Sequence, residues 1–493
     1  MSRFIRFTIP FLVVMALLLT ACAPTEVVRT VIVTQEVEKE VVVTQEVEKE
    51  VVVTEVVEVE KEVEVTPVAG RCAPLSIDEV DEIKVGATVP LSAPGAVGGG
   101  VAMQYAINIA VEEINEDGGI QGKPVRVTYY DTASLPERGT AAMEFLITQE
   151  CVAGVVGEYH SSAGVAMKEV AHKYHIPTIF AETWNDTITG VGYPEVFRIA
   201  PTSSIVAEAD AQYLSKFDYD FVVIVTENTD YGIPAADAGK EQLAAIGIES
   251  EIYSADKGTQ DYSSIVTRIQ AGPTPDAVLV LITGEDSYNF ENQAIEAGLM
   301  PTAETACIAN QVAIQPQFWE AVPGGNWCAF RKVGLVPALA NDVTKSFEAK
   351  YRARFDIFPE SFALEAYDSM KLMGYAIETA GSLDPDAIIE ALENVDIVLA
   401  QGRYYFPYNS QTAEPDFECI EANKDGNVGT LCNLKGEGVP EGTPMFMWHQ
   451  WPDPAVLFLQ YFEEGQTASE AAVVFPEVYQ THDTFLIPYG EAP

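Results

Sequence analysis

A chain of 493 residues with 48% hydrophobic and 10% aromatic content can bury a large core and exceeds what one compact lobe needs. Its formal charge of −46 argues against nucleic acid as a partner, because phosphates are bound by Lys and Arg that displace counterions, and it disfavours anionic membrane surfaces for the same reason. The acidic excess names no ligand, since solubility alone accounts for it.

Arg3 and Arg6 precede an apolar run over 7–19, which is too short for a comfortable membrane span and ends in Leu19-Thr20-Ala21-Cys22. Those last four residues resemble a bacterial lipobox, in which the Cys is acylated and becomes the new N-terminus. Residues 1–21 are therefore expected to be a lipoprotein signal peptide, and Cys22 the point at which the chain is held to the cell membrane from outside the cytoplasm. From 27 to 67 the sequence repeats a ten-residue unit built almost wholly from Val, Glu, Thr and Lys. With no aromatic residue and little variety of size it cannot pack a core, so residues 22–71 are expected to form a stalk. Alternating Val and Glu permit strands; Val at a spacing of four permits a helix.

After Cys72 the pattern alternates. Strands are expected at 83–89, 125–130, 152–157 and 178–181, with a Gly-rich turn over 94–100 that leads into a helix through Ile114, and further helices at 141–148 and 163–174. The alternation restarts with strands at 221–226, 248–253 and 277–282 and helices at 234–246 and 262–271. Strand and helix alternating at these lengths predict parallel sheets covered by helices, and two such runs predict an α/β fold of two Rossmann-like lobes facing a cleft.

Setting Cys22 aside leaves six cysteines, an even number for an exported protein. Proximity pairs Cys419 with Cys432 and Cys307 with Cys328, which leaves Cys72 with Cys151. No C-x-x-C motif and no His cluster occurs, so neither a metal nor a cofactor is expected.

Lys84-Val85-Gly86-Ala87, the run from Ile114-Asn115-Glu116-Asp117-Gly118-Gly119-Ile120 to Val125, Val196-Phe197-Arg198-Ile199-Ala200-Pro201, Asp230-Tyr231-Gly232, Ala297-Gly298-Leu299 and Phe362-Ala363-Leu364-Glu365-Ala366-Tyr367-Asp368-Ser369 carry a family resemblance in their order and spacing. Over most of 80–460 the chain resembles type I periplasmic binding proteins of branched-chain amino acid and amide ABC importers. That resemblance implies a clamshell with three crossovers, expected near Thr202, Val336 and Gly402. The lobes would then be 72–201 plus 337–401 and 202–336 plus 402–460, with 461–493 as an extension. It implies an ABC permease and ATPase as partners, and a small polar ligand such as an amino acid, amide or urea-like compound. A tethered sensor using the same fold is the alternative. The stretch 410–443 and the tail after Gln460 exceed the family pattern and read as surface additions.

Ligands of open α/β sheets sit at the carboxyl ends of the strands. There, Tyr159, Ser161 and Ser162 precede a helix read as starting at Ala163 with Ser162 as its cap, an arrangement that suits a carboxylate. By the resemblance, Ala181 offers a carbonyl and Thr183 a hydroxyl, Tyr231 closes as an aromatic lid, and Thr283, Glu285 and Asn310 complete the second lobe. Glu182 and Trp184 depart from the family and could hold a cation. Asn310 and Gln311 stand where amino-acid-specific relatives present an acidic clamp, which leaves Glu285, Asp286 or Glu182 to meet an ammonium. The five His are scattered, and His160 beside Ser161 lacks the Gly-x-Ser-x-Gly turn of a serine hydrolase, so the chain is not read as an enzyme.

Overall fold

The computed structural model describes residues 28–36, 56–64 and 70–482, apart from Ala73 and Leu335. Cys22 and the apolar leader lie outside the described residues. Within the repeat, β1 (Val28–Glu36) and β2 (Val56–Glu64) pair antiparallel, so the β-branched Val content takes the strand option there. The chain divides after Ala69 into two units, and this hairpin belongs to the first.

In the second unit, β-branched apolar runs become buried parallel strands and the segments between them become helices. The first half contains β3 (Ile83–Val89), α1 (Val97–Glu116), β4 (Val125–Asp131), α2 (Pro136–Thr148), β5 (Gly154–Gly157), α3 (Ser161–Tyr174), β6 (Thr178–Phe180), α4 (Thr187–Gly190) and β7 (Val196–Arg198). Its five strands are all parallel, in the order β4-β3-β5-β6-β7. The second half contains α5 (Ser203–Leu214), β8 (Phe221–Glu227), α6 (Gly232–Ala245), β9 (Glu249–Ala255), α7 (Ser263–Ala271), β10 (Ala277–Leu281), α8 (Glu285–Glu296), β11 (Ala306–Ala309), α9 (Phe318–Ala321) and β12 (Ala329–Val333). Then follow α10 (Asp342–Phe355), α11 (Ser361–Ala380), α12 (Pro385–Glu393), β13 (Ile397–Val398), β14 (Arg403–Tyr404), α13 (Phe417–Ala422), α14 (Val428–Leu431), β15 (Val456–Gln460) and β16 (Ala472–Phe475).

The second sheet has the order β16-β15-β12-β11-β10-β8-β9, parallel from β9 through β12, with β15 and β16 antiparallel at one edge. The tail after Gln460 is thus in part structural, because β16 caps the sheet edge that β15 would otherwise expose. Chain passage between the sheets follows from these pairings. It leaves the first sheet after Arg198 and returns after Val333, when α11 packs on α1 and β5.

The expected return near Gly402 is corrected. Residues 405–451 stay against the first sheet, where α14 packs on α4, the backbone N–H of Arg198 donates to the carbonyl of His449, and Trp451 N–H donates to the carbonyl of Arg198. The chain reaches the second sheet only at β15. A small core of Ala413, Cys432, Leu434, Met445 and Trp448 gives the insert its own apolar anchor, an anchor that strand and helix periodicity does not register. The disulfides are Cys307–Cys328 and Cys419–Cys432, the two pairs that proximity suggested, and Cys72–Cys151, the pair left over.

Candidate ligand-binding site

Five loops at carboxyl ends of parallel strands converge on one small cavity of about 20 Å³, lined by Tyr159, His160, Ser161, Glu182, Trp184, Tyr231, Thr283, Asn310 and Gln311. From the first sheet, β5 ends in Gly157 and delivers Glu158-Tyr159-His160, while β6 delivers the loop 181–185. Gly157 has φ +102, and a Cβ there would lie 2.5 Å from the Thr88 carbonyl oxygen, so this turn admits only glycine. Glu158 follows at φ +62, an uncommon conformation for a side chain with a Cβ, and is fully buried. Its Oε1 accepts from Thr132 Oγ1 and from the His160 N–H, and burial pushes its carboxyl up to about 7.

Helix α3 starts two residues earlier than expected. His160, not Ser162, is its cap: Nδ1 of His160 accepts from the Ser162 N–H at 3.2 Å. With Nδ1 accepting, Nε2 carries the proton and donates to Glu227 Oε1 at 2.7 Å, across to the end of β8. The hydroxyl of Ser161 accepts from the backbone N–H groups of Trp184 and Asn185, both at 3.1 Å, and so orients the 181–185 loop. Neither ring nitrogen of His160 engages that hydroxyl, so the pair is not arranged as a nucleophile and its base.

Contacts from the first sheet to the second are numerous. Ser162 Oγ accepts from the Asp230 N–H at 3.2 Å, Asn185 Nδ2 donates to the Asp230 carbonyl, and Gln311 Nε2 donates to Glu182 Oε1. Glu227 also accepts from the Thr283 N–H and hydroxyl, both at 2.9 Å, and lies 3.4 Å from Lys257 Nζ. Burial works to raise the Glu227 carboxyl, but Lys257 and His160 outweigh it and hold the group well below the usual carboxylate range. The Trp184 and Tyr231 rings meet edge to face at 6.0 Å and close one wall.

Of the sequence candidates, the cavity brings together Tyr159, Ser161, Glu182, Trp184, Tyr231, Thr283, Asn310 and Gln311. Ser162, Ala181 and Thr183 are buried beside it without lining it. The methyl of Thr183 packs on α3, where a Cβ at Gly164 would lie 2.7 Å from Thr183 Cγ2. Glu285 is exposed in the first turn of α8 and does not line the cavity. Sequence reasoning missed His160 and Glu227 as a cross-sheet pair and Glu365 behind Glu182; His is an unusual cap, and a Glu early in a helix ordinarily faces water.

The cavity wall and the layer behind it are rich in unpaired polar atoms. Glu182 lies against Glu365 and Trp184, yet its Oε2, both carboxyl oxygens of Glu365, Trp184 Nε1, Thr183 Oγ1 and Gln311 Oε1 have no hydrogen-bond partner among the described residues. A buried polar atom without a partner costs about 1–3 kcal/mol, so such a concentration marks a surface shaped to be met by ligand groups. Among the described residues no group of three or more His, Cys, Asp or Glu is placed to hold a metal ion.

Residues 82–427 match the family model described as periplasmic binding protein. The chain belongs to the type I periplasmic binding proteins of the branched-chain amino acid ABC transporter family. This binding protein is 26% identical over 356 residues to Leu/Ile/Val-binding protein homolog 3 of Brucella melitensis, covering 70% of this chain and 93% of the relative. It is 29% identical over 321 residues to the Leu/Ile/Val-binding protein BraC3 of Rhizobium johnstonii, covering 64% and 84%. Its fold matches LivJ of Streptococcus pneumoniae, solved in complex with isoleucine, with a TM-score of 0.64 at 22% identity over 80% of this chain and all of that one. It also matches a solute-binding protein of R. palustris in complex with benzoate, with a TM-score of 0.63 at 18% identity over 80% and 95%. As a substrate-binding protein of the transporter type it is not an enzyme, and the family places it outside the cytoplasm. No described helix is long and apolar enough to cross a membrane.

Proposed function

We propose that this binding protein is the lipid-anchored solute receptor of an ABC importer, closing its two lobes on a small polar metabolite, an amino acid or an amide or urea-like compound, and delivering it to a permease and ATPase. The observation that carries this reading is the convergence of five strand-end loops from two sheets on one cavity whose central polar atoms are buried and unpaired. Only the closed form offers both sets of groups, so ligand binding shifts the population toward closure. Ser161 serves the ligand from the first lobe, and Tyr231, Thr283 and Asn310 from the second; Ser162, Ala181 and Thr183, buried beside the cavity, and Glu285, exposed on α8, would reach it only by a local rearrangement. The Leu/Ile/Val-binding names of the relatives favour an amino acid, while Asn310 and Gln311 in place of an acidic clamp favour a wider ligand range.

The anchor reading rests on Leu19-Thr20-Ala21-Cys22, and the Val/Glu repeat serves as its tether. Labelling with a fatty-acid analogue marks the wild type and leaves Cys22→Ala unlabelled. A thermal-shift screen of the mature protein against amino acids, amides and ureas tests the ligand class: at least one raises the melting temperature in a saturable way, and no response from any of them counts against the reading.

A further inference from the structure

Two carboxyl groups meet in the driest part of the cleft. Glu182, in the loop after β6, is 4% exposed and lines the cavity; Glu365, early in α11, is fully buried directly behind it. The groups that face Glu182 are Glu365, Trp184 and Gln311, and the charged groups that face Glu365 are Glu182 and Asp368. The Tyr159 hydroxyl stands near Glu182, and that of Tyr404 near Glu365. No Lys, Arg or His of the described residues forms an ion pair with either carboxyl, whereas the neighbouring Glu227 has Lys257 and a hydrogen bond from His160, and the buried Asp210 has Arg331. Three of the four oxygens in the pair are without a partner, as is Oε1 of Gln311 beside them.

Isolated carboxylates are costly to bury, and two in contact cannot both ionise without a counter-charge. In the free protein, protons supply the neutralisation, and burial drives both carboxyls upward from their ordinary range. A ligand can do the same better, because a positively charged N–H group offers several donors to several waiting acceptors at once. The walls suit such a group. Tyr159, Trp184 and Tyr231 line the same cavity, and aromatic faces attract cations. An inorganic cation is a poor match, since two carboxyls and an amide oxygen fall short of the six or more oxygens that hard divalent ions take.

We propose that the Glu182–Glu365 pair receives a protonated nitrogen of the ligand, an ammonium, amidinium or guanidinium, so that the cleft selects organic cations over solutes with branched apolar side chains. The inference rests on the reading of this cleft as the solute site. The ligand's cation displaces a proton from the pair to solvent, so binding is accompanied by proton release. Glu182 contributes the contact from the cavity wall, and Glu365 holds the negative charge behind it.

Titration calorimetry of the mature protein at neutral pH with arginine, lysine and agmatine, and separately with leucine and isoleucine, tests this in two buffers of different ionisation enthalpy. At least one cation binds more tightly than leucine, with a buffer-dependent enthalpy that reports the released proton. Glu365→Gln weakens that cation by about ten- to a hundredfold, with little effect on any residual leucine binding. The same variant melts at a higher temperature than wild type above neutral pH, because a buried charge has gone; should it fail to fold, Glu182→Gln is measured in its place. Leucine or isoleucine binding better than all three cations overturns the proposal while leaving the solute-binding reading intact, as does wild-type cation affinity in Glu365→Gln. Failure of both classes of compound to bind counts against the solute site itself.

Discussion

Nε2 of His160, the residue that caps α3 in the first half of the fold, donates to Oε1 of Glu227 at the end of β8 in the second half, at 2.7 Å, and both side chains are almost wholly removed from solvent. A hydrogen bond of this kind, charge-assisted and dry, is worth about 1.5–3 kcal/mol and exists only when the two sheets are brought together. It therefore biases the protein toward the closed form. His160→Ala should weaken ligand affinity by about tenfold, chiefly through faster release, and enlarge the radius of gyration in the liganded state. Stopped-flow release and small-angle scattering read the two effects; unchanged release would show that the pair does not contribute to closure.

Tyr231 lines the cavity from the second half, and Thr183 lies buried beside it in the first. Thr183 Oγ1 is buried without a partner, and the Tyr231 ring closes against Trp184. Thr183→Ala should weaken binding about ten- to a hundredfold without unfolding the protein, and Tyr231→Ala should act mainly by speeding release. Calorimetry with an identified ligand checks both. Wild-type affinity in both variants would relocate the site toward Trp184, Glu285 and Asn310.

Stability should fall as pH rises through neutrality. Burial pushes Glu158, Glu360 and Asp368 up to about 7 and Glu291 up to about 8, from ordinary values of 4.5 for Glu and 3.8 for Asp. Across that interval the folded state retains protons that the unfolded chain has already lost, so each group's contribution is complete below its ordinary value and disappears as pH climbs past its raised one. His449, lowered by burial, works in the other direction as pH falls below 6.5, but it is one group against these four and the raised Glu182 and Glu365 besides. Glu227, held low, matters only below the ordinary carboxylate range. The ligand-free protein should melt at least about 5 °C higher at about pH 5 than at about pH 8 in calorimetric scans. Equal or inverted melting temperatures would mean that these carboxyls are neutralised by other means.

The disulfides should contribute unequally. Cys72–Cys151 closes a separation of 79 residues and ties the start of the second unit to the turn before β5, whereas Cys419–Cys432 closes 13 residues within the insert. On loop entropy the first is worth about 4 kcal/mol and the second about 3 kcal/mol. Replacing Cys72 and Cys151 by Ser should lower the melting temperature more than replacing Cys419 and Cys432, and the reverse order would show that the insert is the weaker part of the fold.

Much of this architecture is legible in the sequence because buried parallel strands are continuous apolar runs, and runs such as those at 83–89, 221–227 and 277–281 admit little else. The loops after β5, β6, β10 and β11 could be read as site-bearing for the same reason, since the strand ends locate them. Four features could not be read. The start of α3 was hidden because a histidine, rather than a serine, accepts the capping hydrogen bond. The insert's attachment to α4 depends on short, irregular contacts around its own disulfide, which leave no periodicity. The burial of Glu365 depends on α11 packing across α1 and β5, a tertiary arrangement with no local signature, while Glu285 is exposed as the first residue of α8, just after Gly284, whose φ is +63.

Native mass spectrometry of the mature protein, purified without denaturation, reads directly whether the cleft holds a solute. A 1:1 complex with a small nitrogen-bearing metabolite is expected, lost or greatly diminished in Glu182→Gln and in Thr183→Ala. A protein that carries no such molecule, and gains none when incubated with amino acids, amides and organic cations, would contradict that expectation.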